Sequence, residues 1–134
     1  MNLAQHITEL AQRVALELKT RITSEHSGVA KAWVCFGIEG SGSKALLVVR
    51  ASFNVSSVTR ISTGQYRVTF VNPMPDVSYC WQAFARNAGS QSSMKHAGAR
   101  ATAEAKTAQF VDVICTSSSG SLSDTTEMNL TVWR

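Results

Sequence analysis

The sequence is poor in the features that most often reveal a function. Its 134 residues include two prolines, nine acidic residues and only 16% charged residues. No apolar run reaches the roughly 18 residues that a membrane-spanning helix needs, and no basic head followed by an apolar segment opens the chain. We therefore predict no membrane insertion and no secretion signal, and we expect the protein to be made and folded in a cytoplasm.

The composition that remains is that of an ordinary globular protein. Hydrophobic residues make up 44% of the chain, and the mean hydropathy is −0.03, which excludes the polar profile of a disordered chain. The net charge is +4, but the 13 lysines and arginines form no block of adjacent basic residues. Because an electrostatic footprint for nucleic acid requires clustered charge, nucleic-acid binding is not predicted.

The three cysteines, Cys35, Cys80 and Cys115, each lie in an apolar run without CxxC spacing or a nearby histidine. Their odd number excludes a fully paired intrachain framework, and a reducing compartment favours free, buried thiols. A single Cys35 to Cys80 bridge is the alternative.

Residues 2 to 23 carry the clear helical pattern of the chain. Asn2 is suited to an N-cap, and Gly28 is a stop signal beyond the helix. One face carries a stripe of six apolar side chains spaced by three or four residues: Leu3, Ile7, Leu10, Val14, Leu18 and Ile22. The sequence therefore predicts two parts, an N-terminal helix in residues 1–27 and a β-rich domain in residues 28–134.

The apolar stripe fits two packing arrangements. In the first, the helix packs on the sheet of its own domain; in the second, it forms a short parallel bundle with other copies of the chain. The narrow stripe, the small residues Ala4, Ala11 and Ala15 beside it and the flexible segment from Ser24 to Gly28 favour the bundle. We accordingly predict an oligomerisation or attachment helix.

After Gly28 the chain is rich in β-branched and aromatic residues separated by turn signals. Strands are predicted at 32–38 and 44–55, joined by a glycine- and serine-rich hairpin loop, and at 55–61 and 66–71, joined around Gly64. A further strand is predicted at 79–85, and a last pair at 110–117 and 128–133. These short antiparallel strands predict a mainly β fold, a β-sandwich or jelly-roll-like domain with an N-terminal α-helix.

Residues 86 to 108 lack strong periodicity and are rich in alanine, serine and glycine. A loop of this length in a compact domain tends to be functional. We therefore predict a ligand-facing loop whose candidate binding residues are Lys95, His96, Arg100 and Lys106.

No catalytic or metal-binding constellation emerges. His6, His26 and His96 have no metal-ligand spacing and no adjacent nucleophile. Asp124 and Glu127 are close enough in sequence to flank a glycosidic bond, although solvation of a turn is the favoured role. We predict neither an enzyme nor a cofactor, and no metal.

Four aromatic residues fall within the predicted strands: Trp33, Tyr79, Trp81 and Trp133. Their rings suit core packing, which we favour, or stacking against a sugar, which is the alternative.

Four motifs, taken in order, resemble the C-terminal β-domain found at the tips of bacteriophage tail fibres. They are an Ala-Trp-Val-x-Phe strand, a Ser-Phe-Asn-Val-Ser-Ser-Val segment, a Thr-Gly-x-Tyr-x-Val-x-Phe hairpin arm and a Met-Pro-Asp-x-x-Tyr turn. Here they occupy Ala32 to Phe36, Ser52 to Val58, Thr63 to Phe70 and Met74 to Tyr79. The likeness continues weakly in Gly120, Asp124 and the closing segment from Asn129 to Trp133, so it covers most of residues 31 to 134.

The resemblance implies a homotrimeric virion component, in which a helical stalk leads into β-domains around a threefold axis. One interpretation is a tail-fibre or tail-tip module that takes part in host attachment by binding a surface glycan or protein. The alternative is a capsid or tail decoration protein that binds another virion protein through the N-terminal helix and has no receptor-binding role. The family has no fixed receptor motif, so it assigns no binding residues to this chain.

Overall fold

The computed structural model describes residues 1–89 and 94–134 and contains one helix and eight strands. Helix α1 spans Leu3–Arg21. The strands are β1 (Ala32–Glu39), β2 (Leu46–Phe53), β3 (Val55–Ser62), β4 (Gln65–Phe70), β5 (Cys80–Arg86), β6 (Lys95–Ala99), β7 (Phe110–Ser117) and β8 (Glu127–Trp133). Two short 3₁₀ turns, Gly42–Lys44 and Ala103–Ala105, lie in the connections.

The strands form two antiparallel sheets of four, which confirms the predicted mainly β fold. The first sheet has the order β2-β1-β8-β5 and the second has the order β3-β4-β7-β6. The arrangement is that of a β-sandwich, with the core between the two sheets. The first sheet contains both the strand that follows α1 and the strand that precedes the C-terminal residue.

Alternation along the central strands builds the core. Val34 and Phe36 of β1, Leu130 of β8, and Tyr66 and Val113 of the second sheet are all at most 2% exposed. The rings of Phe36 and Tyr66 meet edge to face across the two sheets, with centroids 5.2 Å apart. The period-2 pattern of the sequence therefore identifies the buried faces of these strands correctly.

Both predicted hairpins are present, since β1 pairs with β2 and β3 pairs with β4. Between them, Asn54 transfers the chain from the first sheet to the second at a φ of 54°. Its side-chain amide donates to the Lys31 carbonyl at 2.9 Å, and its oxygen accepts from the Asn72 backbone N–H at 2.8 Å. Asparagine is among the few residues that adopt this left-handed conformation readily.

Two expectations for the second half of the domain are wrong. Residues 86–108 are not one long loop, because β6 lies within them and pairs with β7; residues 90–93 of this segment lie outside the described part. The segments 110–117 and 128–133 are strands but not a hairpin pair, because β7 belongs to the second sheet and β8 to the first. The connection between them crosses from one sheet to the other.

All three cysteines are free, which confirms the predicted thiols, but only Cys115 is buried. Cys35 is half-buried and Cys80 is exposed, so the expectation of burial is wrong for these two. A Cys35 to Cys80 bridge is excluded because β8 lies between the strands that carry them.

Candidate functional site

Helix α1 is capped at its N-terminus but is not buried against any other part of the described chain. Asn2 caps it as predicted: its side chain accepts from the Gln5 backbone N–H at 2.9 Å, and the Gln5 side chain accepts from the Asn2 N–H at 2.8 Å. No residue of α1 is buried. The interpretation in which the helix packs on its own sheet is therefore wrong.

The six predicted stripe residues are all at least half exposed, from Val14 at 50% to Leu3 at 75%. Five lie in α1, and Ile22 forms its C-cap. Burying the exposed part of such a side chain contributes roughly 1 kcal/mol. None of the described helices is long and apolar enough to cross a membrane. Because its six apolar side chains are exposed along one side of the helix, the stripe is a candidate protein-binding surface.

The four predicted ligand-facing residues do not form one loop surface. Lys95 and His96 lie in β6, and the ammonium group of Lys95 donates to the Ser123 hydroxyl at 2.5 Å and to the Asp124 carbonyl at 3.0 Å. Arg100 donates to the Asp112 carboxylate at 3.0 Å.

Lys106 donates to the Tyr79 carbonyl at 2.6 Å and lies over the Tyr79 ring. Three of the four candidate residues thus hold parts of the domain together, whereas the fourth, His96, is exposed on an edge strand. A ligand-binding role for them stays a prediction.

Asp124 is the centre of a structural network. Its carboxylate accepts from the Arg60 guanidinium at 2.7 Å, the Gly64 backbone N–H at 2.9 Å and the Tyr66 hydroxyl at 2.8 Å. Partial burial alone would raise the pKa of Asp124, but these three donors outweigh it and hold the pKa below its usual value of 3.8. Burial, reinforced by the hydrogen bond to Asp124, raises the pKa of the Tyr66 phenol.

Glu127 is also committed to an ion pair. Its carboxylate accepts from Arg86 at 2.7 Å and from the Asn129 side chain at 3.0 Å. Hydrogen bonds from Arg86 and then Asn129 hold the pKa of Glu127 below its usual value. A general acid needs a raised pKa. Both Asp124 and Glu127 are instead paired with guanidinium groups, which stabilise the charged form of a carboxylate.

Asp112 is a buried carboxylate that the sequence pattern only partly reveals. It faces away from the core, as its alternation with Val111 and Val113 indicates, yet it is only 1% exposed. Arg67 donates to it at 2.8 Å and Arg100 at 3.0 Å, and the Arg67 guanidinium lies 3.7 Å from the centroid of the Phe110 ring. The cluster is internally paired and links three neighbouring segments of the second sheet.

The aromatic residues divide between the two faces of the first sheet. Tyr79 is buried, as favoured, and Trp81 is half-buried against the core. Trp33 is 39% exposed, so the expectation that it packs in the core is wrong; Trp133, which is half-buried, lies on the same outward face. Strand parity places Phe53 and Phe84 on the same outward face as Trp33 and Trp133. We call the surface formed by these four side chains the aromatic face: Trp33, Phe53, Phe84 and Trp133.

A cleft of about 730 Å³ lies where the segment after α1 meets the domain. Lys31, Phe53, Asn72 and Arg134 are among its lining residues. Arg134 pairs with Asp76 at 2.5 Å, and the Lys31 ammonium group binds the backbone of the segment that follows α1. The polar groups of this cleft therefore already serve to fasten the chain.

Among residues 1–89 and 94–134, no group of three or more histidine, cysteine or acidic side chains is placed to hold a metal ion. Comparison of the chain with protein-family models, with curated proteins and with solved structures found no match. The surfaces on which a function can be argued are consequently the exposed stripe of α1 and the aromatic face.

Proposed function

We propose that this chain is a homo-oligomeric structural protein of a bacteriophage virion, a tail-fibre or tail-tip module that takes part in host attachment. The ordered motifs of residues 31–79 support the virion assignment through their resemblance to tail-fibre tips. The observation that carries the oligomer is the stripe of α1, which is at least half exposed along its whole length. A parallel bundle of three such helices buries it and forms a stalk below the β-sandwich domains.

The bundle is tested by placing a charge in the stripe. Leu10 is 63% exposed in the single chain, so Leu10→Glu leaves the fold of the chain unaffected but puts a carboxylate into the seam of the bundle. We expect the wild-type protein to have three times the 14.5 kDa mass of one chain by light scattering, and Leu10→Glu to dissociate toward one chain.

Gln12→Glu is the matched control, because it adds the same charge to the polar side of the same helix. It should keep the wild-type mass. A wild-type mass of 14.5 kDa, or equal masses for all three proteins, would contradict the bundle.

Attachment is tested on particles and on cells. Labelling of virions with an antibody against residues 28–134 should mark the tail tip, and the purified protein should reduce adsorption of the phage to its host. Labelling of the capsid surface without any effect on adsorption would instead favour the decoration protein. The exposed stripe also supports that alternative, because it fits a groove on another virion protein as well as it fits other copies.

A further inference from the structure

The outward side of the first sheet is unusual in its chemistry. In antiparallel pairs, opposite residues share a face, so the pairing places Phe53, Trp33, Thr131 and Gln82 in one row across all four strands. The next row is Ala51, Cys35, Asn129 and Phe84, and Trp133 and Cys80 stand beyond the first. These ten positions carry no charge.

The aromatic side chains on this surface are open to solvent in the single chain. Phe84 is 68% exposed, Phe53 is 52% exposed and Trp33 is 39% exposed. Charged pairs stand at both ends: Arg86 meets Glu127 and Arg50 meets Glu39 at one end, and Arg134, next to Trp133, meets Asp76 at the other. An exposed apolar surface with a charged rim is typical of a protein interface.

We infer that the aromatic face is a contact between copies of this chain, formed when their helices associate. This inference rests on the oligomer of the proposed function and names the second surface through which the copies meet.

The connection to α1 is the first support for a second copy as the occupant. Ten residues, 22–31, join the helix to β1, and fully extended they span about 34 Å. The Lys31 N–H donates to the Val132 carbonyl at 2.8 Å, which fixes the end of this connection beside Trp133. Once the helices associate, neighbouring domains are held at an effective concentration of about a millimolar, so a weak apolar contact between them forms.

The size of the aromatic face is the second support for a second copy as the occupant. Four strands about 4.8 Å apart and five residues of about 3.4 Å give roughly 300 Å² per copy, well below the roughly 800 Å² per partner of a stable interface. The face therefore does not hold copies together alone but adds to the helices. One corner of the face carries a depression of about 340 Å³ between Cys80, Gln82 and Trp133, so the test below also includes binding of a ligand as an outcome.

The test compares two matched substitutions in the full chain. Thr131 on β8 and Thr69 on β4 are both half-buried threonines on the outward side of a central strand, in opposite sheets. Thr131→Glu puts a carboxylate among the aromatic rings, whereas Thr69→Glu puts it on the second sheet. By sedimentation equilibrium, we expect Thr131→Glu to raise the dissociation constant of the oligomer at least tenfold and Thr69→Glu to leave it unchanged.

Equal dissociation constants for the two variants overturn the contact, while an oligomeric wild type still supports the helix bundle. A wild-type protein that is a single chain refutes both. If Thr131→Glu leaves association unchanged but abolishes adsorption to the host, the face binds a ligand and the contact is refuted.

Alkylation of Cys80 provides a test that needs no variant on the face. Cys80 is exposed in the single chain, whereas Cys115 is buried and serves as the internal control. N-ethylmaleimide should modify Cys80 at least fivefold more slowly in the wild-type oligomer than in dissociated Leu10→Glu. Equal rates in the two proteins contradict burial of this face.

Discussion

Replacing Asp124 with asparagine removes the negative charge of the carboxylate while nearly preserving the shape of the side chain. Oδ1 of Asp124 accepts from the Gly64 N–H and the Tyr66 hydroxyl, and an asparagine oxygen at that position retains both bonds. An amide N–H₂ group takes the place of Oδ2, so the Arg60 contacts to Oδ2 at 2.7 and 3.2 Å are lost, whereas the 3.1 Å contact to Oδ1 is retained. A hydrogen bond to a charged group contributes about 1.5–3 kcal/mol.

The net loss is smaller than the full cost of a buried, unpaired ion, because the Arg60 side chain is 38% exposed and can turn to water. We therefore expect Asp124→Asn to lower the free energy of unfolding by about 2 kcal/mol. For a domain of this size, that loss corresponds to a decrease of about 8 °C in the melting temperature. The measurement is thermal or urea unfolding at pH 7, at equal protein concentrations because the stability of an oligomer depends on concentration.

The effect of Asp124→Asn should depend on pH with a defined sign. The pKa of Asp124 is lowered in the folded protein, so its contribution is present above the unfolded pKa of about 3.9 and is lost as pH falls through the lowered value. The difference between wild type and variant should thus be full at pH 7 and shrink below about pH 4.

Glu39→Gln is the matched control for Asp124→Asn. It makes the same exchange of carboxylate for amide in the Arg50–Glu39 pair, where the Glu39 side chain is 57% exposed, and should change stability by less than about 0.5 kcal/mol. Equal losses in the two variants, or a loss for Asp124→Asn that does not change with pH, would refute the assigned role of Asp124.

Two further substitutions probe the same half of the domain by thermal unfolding. Gly64→Ala should cost at least about 2 kcal/mol, because its φ is +66° and the added Cβ would lie 2.6 Å from the Ser123 nitrogen; a near-wild-type melting temperature would contradict this packing. Tyr79→Phe should cost about 1–2 kcal/mol, because the hydroxyl donates to the carbonyls of Thr107 and Phe110, and an unchanged stability would show that these bonds are replaceable.

Hydrophobic alternation made most of the sandwich predictable. Strands β1, β4, β7 and β8 carry large apolar side chains at every second position, and each lies within about two residues of its expected bounds. Strand β6 was missed because Ala97, Gly98 and Ala99 have low strand propensity and provide no apolar period. Its position is set by pairing with β7, a tertiary contact that the local sequence does not encode.

The candidate site was predictable in composition but not in environment. The period of α1 locates its stripe, but an amphipathic helix has the same period whether it packs on its own sheet or on a partner. Strand parity groups Trp33 with the outward residues of β1, yet only the structure shows that no element of the described chain covers that side. The pairing of Asp112 with Arg67 joins residues 45 positions apart and has no local signature.

The contacts of the recognisable motifs explain why they serve the fold rather than a ligand. In the Thr-Gly-x-Tyr motif, Gly64 and Tyr66 both donate to Asp124, and the Arg60 guanidinium that completes this network also donates to Thr63. In the Met-Pro-Asp-x-x-Tyr motif, the Tyr79 side chain is buried and its hydroxyl donates to the connection before β7. Side chains already committed to internal bonds are poor candidates for recognition.

The exposed surfaces of the chain, rather than its motifs, are therefore the places at which a partner can bind. The motif residues preserve the sandwich, whereas the stripe of α1 and the outward side of the first sheet consist of exposed apolar side chains without a described partner in their own chain. Substitutions on these two surfaces should change association before they change the stability of the domain. The proposed function thus depends on helix α1 and on the outward surface of the first sheet, whose strand β1 follows the helix along the chain.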